Sequence, residues 1–135
     1  MKKILLIALG LLVLAACSTS GTDITGEWKL VSYGDAADPT PALPDRDTSI
    51  KFESNGQVGG NFGCNSFGGD YETSGDTITF KSVASTMMYC EETSAQEEAI
   101  FGIFADRVKL PIQLNGNVLT ITSADGLQVV NLARK

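Results

Sequence analysis

The sequence predicts a β-rich α+β domain, in which a single antiparallel β-sheet is curled into a barrel or half-barrel and covered by one α-helix. Short segments that alternate apolar and polar residues recur along the chain, and turns containing glycine or asparagine separate them. A single segment near residue 100 carries apolar residues at helical spacing instead. No shift in composition divides the chain, so about seven short strands and one helix belong to one domain.

The first sixteen residues have the pattern of a targeting signal. Two lysines precede eleven mostly apolar residues, a run too short for a permanent transmembrane helix. The run ends at Leu14-Ala15-Ala16-Cys17, which is similar to the lipobox of bacterial lipoproteins. We expect residues 1–16 to be a cleaved signal peptide and Cys17 to be the lipidation site. The alternative is ordinary signal cleavage that leaves Cys17 as a free thiol.

This signal determines the expected location and domain boundaries. Residues 17–23 are small and polar and should form a tether to a domain covering residues 24–135. More than one acyl chain on Cys17 would hold the protein on a membrane. Ser18 stands where an aspartate retains enteric lipoproteins on the inner membrane. We therefore expect a lipid-anchored protein of the bacterial cell envelope, on the outer membrane and facing the periplasm.

The charge distribution argues against nucleic acid as a partner. Removal of the two signal lysines takes the formal charge from −6 to −8. No basic cluster remains in the mature part, and the acidic residues are dispersed as on a solvated surface. We expect a monomer that contacts the membrane through its lipid and binds an unknown envelope protein or small ligand.

The strands follow one another with clear turn signals. Residues 26–33 alternate and place Trp28 in the core, whereas three prolines make residues 34–47 an exposed loop. Asn55-Gly56 predicts a type I′ hairpin turn. A glycine-rich corner over residues 59–71 comes next. The remaining predicted strands cover residues 69–72, 77–81, 112–114, 118–122 and 127–132.

The helix is predicted to begin at a capping box formed by Ser94 and Glu97. In this motif the side chain of each residue accepts a hydrogen bond from the backbone N–H of the other, which satisfies donors in the first turn. Apolar residues at helical spacing extend the helix to Val108, and Arg107 favours its C-terminus. Pro111 is expected to end it.

Cys64 and Cys90 are expected to form a disulfide, because Cys17 is assigned to lipid and the compartment is oxidising. Such a bridge would contribute roughly 3.5 kcal/mol in the chain-entropy description. Two reduced buried thiols are the alternative. A redox-active pair is disfavoured because the two cysteines are far apart in sequence and have no basic neighbour closer than Lys81.

The sequence contains few arrangements typical of catalysis. It has no histidine, which excludes Ser-His-Asp and Cys-His catalysis and histidine metal sites. Asp70, Glu72 and Asp76 are the remaining candidates, for a carboxylate hydrolase or a calcium site, but their spacing is more typical of solvated strand residues. We expect no catalytic residue, no metal site and no cofactor.

Met87-Met88-Tyr89 admits two interpretations. Methionine adapts to many partners, so the segment could form a peptide-binding groove. The interpretation favoured by the sequence is core filling against Phe62, Phe67 and the helix.

Two motifs resemble the signatures of the META domain family, which includes the HslJ-type heat-shock proteins. Residues 58–71 resemble Gly-Cys-Asn-x-Phe-x-Gly-x-Tyr, and residues 85–90 resemble Ser-Thr-x-Met-x-Cys. The resemblance implies a compact β-rich fold with one helix, common in envelope lipoproteins linked to stress tolerance, and no established enzymatic activity. The signature residues, which we interpret as structural, are Gly63, Cys64, Asn65, Phe67, Gly69, Tyr71, Thr86, Met88 and Cys90.

These observations favour a non-catalytic binding module linked to envelope stress tolerance. An inhibitor of a lysozyme or protease is the alternative, since an acidic protein could bind a basic enzyme. A carboxylate-dependent hydrolase is the third hypothesis.

Overall fold

The computed structural model describes residues 21–135, so the predicted signal peptide and the lipidation site Cys17 lie outside the described residues. None of the helices in that range has the length and apolar character needed to cross a membrane. The described chain forms these elements: β1 (Gly26–Asp35), β2 (Thr40–Pro41), β3 (Ser49–Phe52), β4 (Gln57–Asn61), β5 (Ser66–Ser74), β6 (Thr77–Ser85), α1 (Ser94–Ile103), β7 (Lys109–Asn115), β8 (Val118–Thr122) and β9 (Gln128–Arg134).

The strands form a closed antiparallel barrel, which confirms the predicted fold class. Strands β1 and β3 to β9 pair in order, and β9 pairs back with β1 from Trp28 opposite Arg134 to Asp35 opposite Gln128. The short β2 lies outside the ring as a second partner of β1. This position explains how a proline-rich loop can pair with a sheet. Pro41 has no backbone N–H, and an edge strand tolerates this because it pairs with a neighbour on one side only.

The barrel interior is filled by side chains. Alternation along each strand turns the larger apolar residues inward, and eight strands leave an interior that such side chains fill. Trp28 is fully buried, as predicted, and its indole nitrogen donates to the Ile24 carbonyl at 2.9 Å. Arg134 on β9 covers the same indole, with 4.2 Å between the guanidinium carbon and the ring centroid. The contact between these two directly opposite residues therefore stabilises the pairing of the first and last strands.

Two local predictions were wrong. Gly56 has a positive φ of 86° but Asn55 does not, so the first hairpin closes through a turn from Glu53 to Gly56 rather than a type I′ turn. The second concerns the helix, which ends at Ile103 instead of continuing to Val108. Beyond it, the Arg107 N–H donates to the Phe80 carbonyl, and Pro111 lies within strand β7. Pairing with β6 outweighs the local helical pattern.

Candidate functional site

The Cys64 corner, residues 62–65 between β4 and β5, is tied to the segment after β6 by a disulfide. The bond joins Cys64 to Cys90, whose Cα atoms are 6.4 Å apart, and closes a loop with a sequence separation of 26. This is the predicted pairing. Helix α1 begins four residues after Cys90, so the disulfide brings a barrel corner, an extended segment and the helix together.

The helix holds the corner through Glu97, which is 5% exposed. Its Oε1 accepts hydrogen bonds from the backbone N–H groups of Cys64 at 3.0 Å and Asn65 at 2.6 Å. Its Oε2 accepts one from Asn65 Nδ2 at 2.8 Å. The predicted capping box is therefore wrong. Thr93 is the N-cap residue, and the Ser94 hydroxyl donates to the Glu91 carbonyl.

The side chain of Asn65 fixes the backbone of Met88. Asn65 Oδ1 accepts from the Met88 N–H at 2.8 Å, and Asn65 Nδ2 donates to the Met88 carbonyl at 3.0 Å. The same Oδ1 accepts from the Thr86 hydroxyl, which in turn accepts from the Ser66 N–H. Asn65 thus acts as a strand partner for a segment that has left the sheet.

A second helix residue, Gln96, holds the corner from the other side. Its Nε2 donates to the Phe62 carbonyl at 2.5 Å, and its Oε1 accepts from the Leu43 N–H at 3.1 Å. Gly63 lies against it with a φ of 127°, and a Cβ there would lie 2.9 Å from Thr93 Cγ2. A glycine is needed at this position because both the backbone conformation and the close approach exclude a side chain.

The remaining signature residues also have structural environments. Phe67 stacks on Phe62 with ring centroids 5.1 Å apart. A Cβ at Gly69 would lie 3.0 Å from the Lys81 carbonyl oxygen, so this position permits close contact between β5 and β6. The Tyr71 hydroxyl donates to the Glu53 carbonyl at 2.8 Å, and burial raises the pKa of Tyr71.

The segment of Met87, Met88 and Tyr89, called the apolar segment below, is not part of the core. The side chains are 92%, 59% and 83% exposed respectively, so the core-filling interpretation was wrong. The space beside Phe62 and Phe67 is filled instead by two phenylalanines near the end of the helix. The apolar segment faces outward because Asn65 binds its backbone.

The predicted carboxylate candidates do not form a pocket. Asp70, Glu72 and Asp76 are all exposed. Lys81 donates to Glu72 at 2.8 Å, and this hydrogen bond holds the pKa of Glu72 below its ordinary value. Among residues 21–135 no group of three or more acidic or cysteine side chains is arranged to hold a metal ion.

Sequence reasoning missed the role of Gln96 and Glu97. Both are buried on a helix whose other buried residues are apolar. Two adjacent polar side chains at the start of an amphipathic helix are a weak signal of this role, since exposed first turns are often polar too.

Comparisons with solved structures show the same fold. An NMR structure of a protein from Burkholderia xenovorans has a TM-score of 0.65 at 18% identity, covering 82% of this chain and 81% of that one. A second NMR structure has a TM-score of 0.61 at 22% identity, covering 80% of this chain and 87% of the other. A crystal structure of a DUF4847 family protein from Bacteroides vulgatus has a TM-score of 0.60 at 14% identity, covering 82% and 93%.

No curated protein matches the sequence. The sequence model of the META domain matches residues 22–135, which include the Cys64 corner, the apolar segment and the helix that joins them. The chain belongs to the META domain family.

Proposed function

We propose that this chain is a lipid-anchored protein of the bacterial cell envelope, and that its META domain is a non-catalytic binding module linked to envelope stress tolerance. It would face the periplasm from the outer membrane. One observation carries the binding role: the disulfide and Asn65 hold three successive large apolar side chains in solvent. Contiguous exposed apolar residues are typical of interaction sites.

The same site supports a binding role over a catalytic one. Both oxygens of Glu97 accept hydrogen bonds from the corner, and both polar atoms of the Asn65 side chain are paired. These buried polar groups form hydrogen bonds within the protein and so stabilise the fold, as is typical of structural rather than catalytic residues.

Two features support the envelope location. Disulfides persist in oxidising compartments, and Cys64 is bonded to Cys90. Leu14-Ala15-Ala16-Cys17 is similar to a lipobox. The intact mass of protein extracted from bacterial membranes tests both. We expect loss of residues 1–16, addition of acyl chains and a mass increase of two hydrogens on reduction. The Cys17→Ser variant should retain the signal and carry no lipid, and an unlipidated wild-type chain would refute the anchor.

The binding role is tested by crosslinking in intact cells from a photoreactive residue at position 87. Position 127 is the matched control, because Leu127 is 68% exposed but lies in the turn between β8 and β9. We expect a discrete product from position 87 and none from position 127. Equal products from both positions, or none from either, would contradict a binding surface at the apolar segment.

An inhibitor of a lysozyme or protease is the second candidate. Glu91 and Glu98 are exposed near Tyr89, and a basic enzyme would be attracted to them. Slowing of a purified lysozyme or protease at equimolar protein would favour this role, and unchanged rates across a panel would remove it.

A carboxylate-dependent hydrolase is the third candidate and has the least support, since Glu72 is paired with Lys81. If cell-wall substrates are turned over at all, Asp70→Asn and Glu72→Gln should leave the rate unchanged. A loss of turnover in these variants would favour the hydrolase.

A further inference from the structure

A groove lies between helix α1 and the extended chain from Ser85 to Cys90. Its volume is about 460 Å³. One wall is the apolar segment, and Glu98 and Phe101 on the helix line the other, with Asn65 and Glu97 also contributing to the lining. The disulfide and the hydrogen bonds of Asn65 fix one wall relative to the other, so the groove is formed before any ligand binds.

The wall of the groove has an unusual concentration of apolar surface. Six large hydrophobic residues are exposed among those the structure describes, and three of them are the consecutive residues Met87, Met88 and Tyr89. Methionine is flexible and polarisable, and tyrosine combines an apolar ring with a polar end. Such side chains suit a partner whose own apolar residues enter the groove.

The backbone of the same wall has an unused edge. Thr86 donates its N–H to the Ser66 carbonyl, and Met88 donates to Asn65, so both face the corner. In an extended chain the residue between them faces the opposite way. Within residues 21–135, the N–H and C=O of Met87 make no hydrogen bond. An added strand could pair with both groups.

The charges around the groove have one sign. Glu97 and Glu98 line it, and neither a lysine nor an arginine does. Glu97 is already bound to the corner, whereas Glu98 is exposed, as is Glu91 next to Cys90. Glu92 forms an ion pair with Arg46. The field at the groove is therefore negative and favours a cationic partner.

We propose that this groove binds an extended peptide segment that combines apolar and basic side chains, with its backbone added as a strand beside Met87. The proposal rests on the binding role proposed above and names the class of partner. Apolar side chains of the peptide pack against the apolar segment and Phe101, and basic side chains lie near Glu91 and Glu98. Strand addition supplies affinity through the backbone, and the groove supplies selectivity.

The same observations disfavour two other occupants. Anionic lipid headgroups would be repelled by Glu91 and Glu98. A second copy of the chain would bring the same acidic residues together across a two-fold interface.

The test is selection of random ten-residue peptides displayed on phage. The bait is the full mature chain extracted from membranes and held in phosphatidylcholine nanodiscs. We expect enriched peptides to alternate apolar and basic residues and to bind Met87→Ser and Glu98→Lys at least tenfold more weakly. The matched controls Leu127→Ser and Asp38→Lys change an exposed apolar and an exposed acidic residue outside the groove lining, and should bind as the wild type does. All four variants should unfold at the wild-type denaturant midpoint.

The strand-addition step has its own readout. A selected peptide should lose at least tenfold in affinity when its central backbone nitrogens are methylated, because these can no longer donate. Absence of any enriched peptide, enrichment without basic residues, or equal affinity for Met87→Ser would overturn the proposal. Unchanged affinity after methylation would overturn strand addition.

The crosslinking experiment separates this proposal from the binding role on which it rests. If position 87 captures another protein in cells but the selection fails, the binding role stands and the peptide class is wrong. A product with lipid, or with a second copy of the chain, identifies one of the disfavoured occupants and overturns the peptide proposal. If position 87 gives no crosslinked product and the selection enriches no peptide, both proposals fail.

Discussion

Glu97 and Asn65 are 32 residues apart in sequence, yet the carboxylate of Glu97 accepts hydrogen bonds from both the backbone and the side chain of Asn65. Because Asn65 also holds Met88, this pair connects the helix, the Cys64 corner and the apolar segment. Each of the three elements depends on the other two for its position. Loss of the hydrogen bonds between Glu97 and Asn65 would therefore disturb the helix, the corner and the apolar segment together.

The first prediction concerns Glu97→Gln. The carboxylate only accepts hydrogen bonds, whereas one end of an amide donates, so the variant directs an N–H group at Asn65 Nδ2 or at the two backbone N–H groups of the corner. We expect a loss of about 2 to 4 kcal/mol in the free energy of unfolding. Urea unfolding with the disulfide intact measures it.

The control for this variant is the neighbouring residue. Glu98 is exposed, so Glu98→Gln should change the free energy of unfolding by no more than about 0.5 kcal/mol. Equal effects of the two substitutions would show that Glu97 does not hold the corner.

The second prediction concerns the disulfide. Replacing both Cys64 and Cys90 by serine removes a constraint on a loop with a sequence separation of 26. The expected loss in the free energy of unfolding is about 3.5 kcal/mol. Reductant should lower the urea midpoint of the wild-type chain and leave that of the double variant unchanged. A wild-type chain insensitive to reductant would contradict the assigned role.

The third prediction compares two glycines. Gly63→Ala places a side chain where φ is 127° and Thr93 is too close, so we expect a loss of about 2 kcal/mol in the free energy of unfolding. Gly102 lies in the helix with open space around its Cβ position. Gly102→Ala should therefore stabilise the protein by about 0.5 to 1 kcal/mol. Thermal unfolding distinguishes the two signs, and loss of stability in both variants would refute the difference in environment.

The fourth prediction concerns acid. Lys81 donates to Glu72 and lowers the pKa of Glu72 below its ordinary value of 4.5. A lowered carboxyl pKa stabilises the fold above the ordinary value, and this stabilisation is lost as pH falls through the lowered one. Between neutral pH and the acid range, Glu72→Gln should therefore lose less stability than the wild type.

Urea unfolding at a series of pH values measures this difference. Lys81→Met removes the same hydrogen bond from the other side and should flatten the profile by a smaller amount, because the attraction of Lys109 for Glu72 remains. The effect is small because the Glu72 side chain is 60% exposed and the pair is screened by solvent. A Lys81→Met profile as steep as that of the wild type would show that another pair is responsible.

The features predicted correctly from the sequence are those with short-range signals. Alternation placed Trp28 in the core, and turn residues separated the strands. The oxidising compartment and the number of cysteines paired Cys64 with Cys90. Each of these inferences needs only the residues in a short stretch of sequence or the number of cysteines in the chain.

The features missed depend on contacts between distant segments. Ser94 and Glu97 match a capping box locally, but the corner supplies better partners for Glu97 than its own helix does. The apolar segment has the composition of a core strand, and only the two hydrogen bonds between the Asn65 side chain and the Met88 backbone show why it stays outside. Pairing with β6 ended the helix before Val108 for a similar reason.

The pairing of β1 with β9 has a consequence for how the chain folds. These strands begin and end the barrel, so the ring of hydrogen bonds is incomplete until residues as late as Arg134 are available. A chain that lacks β9 leaves one edge of β1 unpaired, and the Trp28 indole is not covered by Arg134. Closure of the barrel therefore waits for β9, and a chain truncated before Gln128 should be unable to complete its barrel.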